Sequence, residues 1–376
     1  MVSSRMFVVV EVGVGTQKEF RGLDSNQHRR VQSAVSCRWT TPNRNIQTRF
    51  PPRRFARYTS PMTALYPLRF RPIFKSMLWG GRRLPDFVRH PFDSEHPLGE
   101  AWVLSDVEGN HSEIANGPHA GRTLRQLIAA DPTGVFGERL PADGRFPLLL
   151  KFLDTQRELS VQVHPNDEQA QRLKGNGHRG KTEAWVILDA CPDTSRIYAG
   201  FRPGVTAEGF REAMANGQSP EALHSYPARP GDCIFLEAGT VHAIGSKILL
   251  FEVQQTSDIT YRLFDWNRVD EKTGRPRELH IDDGLHCSNF ELGPCEPTAP
   301  PIRCDHFELH RHEEDFPRTI GQSGECRVAV CVKGYGKIAG EAVRAGDVLL
   351  LPAALGEVEA VPTGSWTLLE IGLGDP

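Results

Sequence analysis

From residue 230 onward the chain reads PGDCIFLEAGTVHAIGSKILLFEVQQTSDITYRLFDW, a succession of apolar runs of strand length cut at short intervals by Pro-Gly and Gly turns. The breaks come too often for helices of ordinary length, whereas short apolar segments bounded by turn residues are the grammar of a β-sandwich or barrel. The same grammar begins near residue 66, with YPLRFRPIFK, LWGGRRL and GEAWVLSD. It resumes after TAPPIRC with FELHRHEED, CRVAVCVKGYGKI, AGDVLLLPAAL and SWTLLEIG. A content of 28 Pro and 35 Gly agrees with many short strands. The expected class is mainly β.

An internal echo sharpens this to two units. PGDCIFLEAGTVHAIG in the first half corresponds to AGDVLLLPAALGEVEA in the second, as two copies of one jelly-roll-like unit would. Residues 63–298 are expected to form the larger, metal-binding β-domain. Residues 299–376 form a smaller one, which has no His at the place matching His242 and is expected to lack metal ligands. Helical periodicity is confined to short stretches. GRTLRQLIAAD places Leu124, Leu127 and Ile128 on one face before Pro132, and NDEQAQRLKG reads as helical. TAEGFREAMANG and SPEALHSY predict a helical insertion over 203–228.

Residues 1–62 differ in character. They carry ten Arg and one Lys against three acidic residues, a charge of +8 that leaves −11 for the rest of a chain whose total is −3. With little apolar periodicity the extension is expected to be disordered. It reads more readily as a mis-assigned start before Met62 than as an organellar transit peptide. It has no helical basic stripe and no interleaved aromatics, which argues against nucleic-acid binding. No apolar run approaches the roughly 18 residues of a membrane span. The eight Cys show no C-x-x-C pair or regular spacing, so they read as reduced thiols in a cytoplasmic protein.

The chemistry gathers around SVQVHP, residues 160–165. Alternation along a strand puts Gln162 and His164 on one face and Val161 and Val163 on the other. Glu183 in GKTEAWVIL and His242 in EAGTVHAIG lie in similar strand contexts, and the four side chains make an O/N/O/N set able to hold one divalent ion. In FPLLLKFLD a single cation, Lys151, interrupts a buried-strand pattern, which by itself reads as a lysine snorkelling at a strand end. Two other motifs are decoys. GNGHRGKT, residues 175–182, satisfies the phosphate-loop pattern, but a helical stretch precedes it and a strand candidate follows, the reverse of what phosphate binding requires. HRHEED, with His310 and His312, reads as a solvated edge strand.

Taken in order, LWGG (78–81), GEAW (99–102), LLLKFLD (148–154), SVQVHPND (160–167), GKTEAWVI (180–187), AGTVHAIG (238–245) and QQTSDITYRLFDWNR (254–268) resemble the type I mannose-6-phosphate isomerases in their short bacterial form. The resemblance implies two cupin domains and an enzyme that interconverts mannose 6-phosphate and fructose 6-phosphate with one Zn2+ per chain, other divalent metals being possible. It implies Gln162, His164, Glu183 and His242 as metal ligands, Arg262 as a catalytic arginine, and Lys151 as an active-site lysine, which reverses the snorkelling reading. It also relates Ser160 to the substrate phosphate. Two departures stand out. Asn166 and Asp167 replace a Lys found in longer members, and Glu237 replaces the usual Pro before Ala-Gly-Thr.

Aldose–ketose exchange moves a proton between adjacent carbons through an enediol, so the site must stabilise negative charge on oxygen. One carboxylate and three neutral ligands leave a divalent site near +1, which suits an anionic intermediate and a phosphorylated sugar. Two other readings compete. A cupin oxygenase shares the His/Glu/His set but gives no reason for Gln162, Lys151 and Arg262. A catalytically silent sugar-phosphate-binding cupin would be expected to have lost a ligand, and none is lost. The sequence leaves the oligomeric state open.

Overall fold

The computed structural model describes residues 64–269 and 274–374; the basic extension of residues 1–62 lies outside the described residues. The first part of the fold is a pair of facing antiparallel sheets. Its strands are β1 (Ile73–Gly81), β2 (Leu98–Leu104), the hairpin β3 (Asp106–Val107) and β4 (Asn110–His111), β5 (Leu148–Thr155) and β6 (Val161–Val163). They continue with β7 (Glu183–Ala190), β8 (Arg196–Phe201), β9 (Leu223–Pro227), β10 (Cys233–Leu236), β11 (His242–Ile244), β12 (Ile248–Gln255) and β13 (Tyr261–Phe264). One sheet has the order β1-β2-β5-β12-β7-β10 and the other β13-β6-β11-β8-β9.

The centre of the first sheet is β12, ILLFEVQQ, buried along its whole length between β5 and β7. A strand covered on both faces should be uniformly apolar, and the exceptions are informative. Register sets Glu252 opposite Lys151 and Gln254 opposite Glu183, while on the next strand Trp102 lies opposite Lys151. In the second sheet Gln162 is opposite His242 on one side and Arg262 on the other. Residues directly opposite in an antiparallel pair share a face, so Arg262, Gln162 and His242 form a row across that sheet.

Apolar packing fills the space around these rows. Trp79, Leu153, Trp185, Ile187, Ile234 and Leu250 belong to the core between the two sheets. The helices Ala207–Ala215 and Ile281–Cys287 cover the outer side of the second sheet, where Phe201, Phe210, Tyr261 and Leu285 are buried together. The other side of the first sheet, with Phe152, Phe251 and Val253, packs in one core with Phe307, Leu309 and Ile371.

The remaining strands build two more sheets. One runs Ile302–Arg303, Phe307–Glu314, Trp366–Leu373, Arg327–Lys333, Val348–Leu351, and the other Arg318–Ile320, Val358–Pro362, Tyr335–Ile338, Glu341–Arg344. Among the described residues, strands up to Phe264 pair within the first two sheets, apart from the β3–β4 hairpin, which pairs with itself, and strands from Ile302 pair within the last two. The fold is mainly β, as expected.

The helices follow their local signals. Thr123 and Gln126 form a capping box before Leu124–Ala130, and Asn166 and Gln169 do the same before Asp167–Lys174. One expectation fails. SPEALHSY is a single 3-10 turn, Ser219–Ala222, running into β9, because Leu223 and Tyr226 pair with Phe201 and Ile197 of β8. Pairing with the sheet edge outweighs the weak helical preference of the segment. The strand candidate at residues 66–75 is also shorter than expected: β1 starts at Ile73, and before it Leu68 and Phe70 make only isolated bridges.

Candidate metal centre

The turn that follows β6 carries His164, the first residue of β7 is Glu183, and the first residue of β11 is His242. All three are at most 2% exposed, and their ligating atoms lie within 4.8 Å of one another. Each imidazole is held by a backbone carbonyl: His164 Nδ1 is 2.9 Å from the oxygen of Ile259, and His242 Nδ1 is 2.9 Å from that of Thr240. A carbonyl only accepts, so each Nδ1 carries the proton and each Nε2 keeps its lone pair. Those lone pairs point toward Glu183, at 3.7 Å from Oε2 for His164 and 3.4 Å from Oε1 for His242. The Gln162 amide closes the group, 3.5 Å and 3.3 Å from the same two Nε2 atoms. Rotating that amide by half a turn would present its oxygen to the same point.

The donor chemistry fits a divalent ion. Glu183 Oε1 accepts no hydrogen bond among the described residues, an arrangement that is costly for a buried carboxylate unless a cation compensates it. A cation is in fact drawn in: the Lys181 ammonium sits 2.6 Å from Glu183 Oε2 and 2.9 Å from His164 Nε2. Burial, with the charge of Lys181, pushes His242 down to about 4 and His164 well below the usual imidazole value, so both are neutral ligands at physiological pH. Burial and the neighbouring Glu252 push Glu183 upward, and a metal would offset that. Two imidazoles, a carboxylate and an amide oxygen suit a divalent ion.

Around this group runs a chain of alternating charge. Lys151 Nζ is 3.3 Å from Glu252 and 3.6 Å from Glu100, and Lys181 Nζ is 3.4 Å from Glu252. Burial alone would discharge Lys151, but Glu100, Glu252 and Glu183 outweigh it and raise its pKa. Burial likewise disfavours the Glu252 carboxylate, yet the two lysines hold it down to about 2. Arg262 donates from Nη1 to the carbonyl of Glu278 at 2.8 Å, and its Nε is buried without a partner among the described residues. Ser160 is buried and donates to Gln162 Oε1 at 3.3 Å.

All seven residues singled out from the sequence thus belong to one place. Lys151, Ser160, Gln162, Glu183 and Arg262 line a cavity of about 440 Å³, and His164 and His242 close on Gln162 and Glu183 behind it. Sequence reasoning missed Lys181 and Glu252. Lys181 was set aside with the phosphate-loop decoy, although in KTE it shares a strand face with Glu183 as Gln162 does with His164. Glu252 is a lone acid in the apolar run ILLFEVQQ, the same signal that drew attention to Lys151. The helix-loop-strand order around residues 175–182 is as expected, and Gly177, His178 and Arg179 line a separate cavity of about 670 Å³ that contains no predicted site residue.

HRHEED lies on an edge as expected, since Ile302–Arg303 pairs only with Glu308 and Leu309, but it is not simply solvated: His310 and His312 are partly buried and engaged with Glu308 and Glu370 at 3.1 Å each. Leu309 and Phe307 anchor the opposite face in the core. The substitution of Glu237 leaves the turn before His242 intact, with Thr240 N donating to the Glu237 carbonyl at 3.0 Å.

Comparison with known proteins agrees with this geometry. The family described as phosphomannose isomerase type I, catalytic domain, matches residues 68–183. Mannose-6-phosphate isomerase ManA of Bacillus subtilis (strain 168) is 37% identical over 306 residues, covering 77% of this chain and 94% of the relative. Mannose-6-phosphate isomerase of Streptococcus mutans serotype c is 36% identical over 302 residues, covering 76% and 92%. The crystal structure of the mannose 6-phosphate isomerase from Bacillus subtilis superposes with a TM-score of 0.72 at 28% identity, covering 81% of this chain and 99% of that one.

Proposed function

The chain belongs to the type I phosphomannose isomerases, and on that premise we propose that its cavity converts mannose 6-phosphate and fructose 6-phosphate into each other, with one divalent ion, zinc by preference, held by Gln162, His164, Glu183 and His242. The observation that carries the metal assignment is the pair of imidazoles whose Nδ1 atoms are fixed by carbonyls while their Nε2 lone pairs converge on a buried carboxylate. When bound, the ion supplies positive charge against the negative charge that develops on oxygen during aldose–ketose exchange.

The side chains then divide the remaining work. Arg262 stands beside Gln162 in the row across the second sheet and has no carboxylate partner within 4.0 Å among the described residues. Its guanidinium lines the cavity and, with no carboxylate to neutralise it, supplies positive charge for an enediolate oxygen or the substrate that gives rise to it. Lys151 is kept protonated by Glu100 and Glu252, so it acts as a hydrogen-bond donor that orients sugar hydroxyls or passes on a proton, and not as the resting base. The Ser160 hydroxyl, 3.3 Å from Gln162 Oε1, offers the substrate a further hydrogen bond beside the metal ligands. We further assign residues 63–298 to the catalytic cupin unit and 299–376 to a second cupin-like unit without metal ligands. The free thiols among the described residues suit a cytoplasmic protein.

The deciding assay measures mannose 6-phosphate to fructose 6-phosphate conversion by the purified full chain before chelation, after it, and after zinc is added back. Loss and recovery of turnover in step with bound metal is the expected result. A metal-replete sample without turnover would defeat the assignment.

A further inference from the structure

Five cations line the cavity of about 440 Å³: Lys75, Lys151, Lys181, Arg262 and Arg277. Three are matched by acids. Lys151 faces Glu100 and Glu252, Lys181 faces Glu183 and Glu252, and Arg277 donates to Asp265 at 2.7 Å. Lys75 and Arg262 have no carboxylate partner within 4.0 Å among the described residues, and of these Arg262 is beside Gln162, at the end of the cavity where the metal ligands gather. That leaves Lys75 as a second uncompensated charge on the opposite wall.

Its position is built. On β1, Lys75 lies opposite Glu100 of β2, but Glu100 is occupied by the indole N–H of Trp102 at 2.6 Å and by Lys151. The Lys75 ammonium instead stands 4.5 Å from the centre of the Trp102 ring and donates to Asn110 Oδ1 at 2.5 Å. Asn110 is brought there by the β3–β4 hairpin, whose turn residue Gly109 has φ +74, a conformation that glycine adopts without strain. The same Trp102 ring has the Lys151 ammonium 6.0 Å from its centre. One indole, its orientation fixed by Glu100, therefore sets the spacing between a lysine buried among acids and a lysine left charged and unpaired at the cavity wall. Neither the ring face nor a neutral amide neutralises that charge.

A hexose 6-phosphate carries its dianion at the far end of the carbon chain from C1 and C2. If the reacting carbons lie by the metal ligands and Arg262, the phosphate needs a cation elsewhere in the same cavity, and a charge already spent on a carboxylate is a poor one. We propose that Lys75 is that cation, a substrate-binding residue that receives the terminal phosphate and makes the enzyme prefer phosphorylated over unphosphorylated aldoses. The assignment rests on the proposed function above, since it takes the metal end of the cavity as the reacting end.

The test compares wild type with Lys75→Met and Lys75→Arg, using turnover of mannose 6-phosphate, competitive inhibition by inorganic phosphate, and bound metal. Loss of one charge-assisted contact should raise KM and the inhibition constant of phosphate together, by about 10- to 100-fold, with kcat within about threefold and metal content unchanged. Lys75→Arg should recover most of the loss. Unchanged KM and unchanged phosphate inhibition in Lys75→Met would overturn the assignment, as would a collapse of kcat with KM unmoved. Direct calorimetric binding of inorganic phosphate separates this from the isomerase reading. An inactive wild type would sink the latter, whereas equal phosphate binding by wild type and Lys75→Met sinks only the role of Lys75.

Discussion

Two places in the molecule bring histidines and glutamates together, and they are built on opposite principles. In the first sandwich, His164 and His242 spend Nδ1 on backbone carbonyls, and both Nε2 atoms converge on Glu183, whose Oε1 accepts no hydrogen bond among the described residues. In the last pair of sheets each imidazole Nε2 meets its own carboxylate, His310 with Glu308 and His312 with Glu370. Glu308 also pairs with Arg327, and Glu370 accepts the Gly321 N–H at 2.8 Å. In the second cluster each Nε2 is paired with its own carboxylate, and its groups do not converge on a common point. In the first, the ligating atoms of His164, Glu183 and His242 converge within 4.8 Å and Glu183 Oε1 still lacks a donor although Lys181 reaches Oε2, so composition alone does not separate a structural cluster from a binding site; convergence and unmet valence do.

Removing one histidine from each cluster should give the widest separation. His242→Ala is expected to lose bound metal and to lower kcat by at least about 10³-fold, as removal of a metal ligand ordinarily does. His312→Ala should leave metal content and kcat within about twofold while costing about 1–2 kcal/mol of unfolding free energy, because Glu370 loses a buried partner. Metal analysis beside chemical denaturation reads both. Metal retained in His242→Ala, or lost in His312→Ala, would break the comparison.

A finer cut keeps the metal and alters only charge. Arg262→Ala should lower kcat by about 10²-fold with metal content unchanged, since it removes a positive group that meets the substrate. Gln162→Glu adds a second carboxylate to the ligand set and cancels the remaining positive charge of a divalent site. Turnover should drop by about 10-fold or more although metal is bound at least as tightly. Turnover equal to wild type, measured at matched metal occupancy, would remove the argument that the neutral amide is there to keep the site positive.

Much of this contrast is legible in the chain, and the parts that are not have physical reasons. Gln162 and His164 could be read as neighbours because alternation on a strand is a local rule. Glu183 and His242 joined them through motif, and the register of β6 with β11 then set His242 opposite Gln162. Lys181 and Glu252 each carry a local signal, but their contact with each other, 3.4 Å between residues far apart in the sequence, is one that no local pattern reports. HRHEED reads as solvated for a related reason: His310 is paired with Glu308 of its own strand, but His312 meets Glu370 only on the neighbouring strand Trp366–Leu373. The segment at 219–226 failed as a helix because the free edge of β8 claims it.

The smallest expected effect concerns pH and the satisfied cluster. Burial disfavours the Glu370 carboxylate, but His312 and the Gly321 N–H outweigh it and hold Glu370 below the usual carboxylate range. A carboxyl whose folded value lies below its unfolded one contributes its full stability above the unfolded pKa, about 4.3, and loses it as pH falls through the folded value. Glu370→Gln carries no such proton, so its unfolding free energy should vary less between pH 5 and pH 3 than that of wild type, the difference being on the order of 1 kcal/mol. Denaturation curves at the two pH values measure it directly. An equally steep acid loss in Glu370→Gln would mean that His312 and Gly321 do not stabilise the ionised form, and that the second cluster is less self-sufficient than its distances indicate.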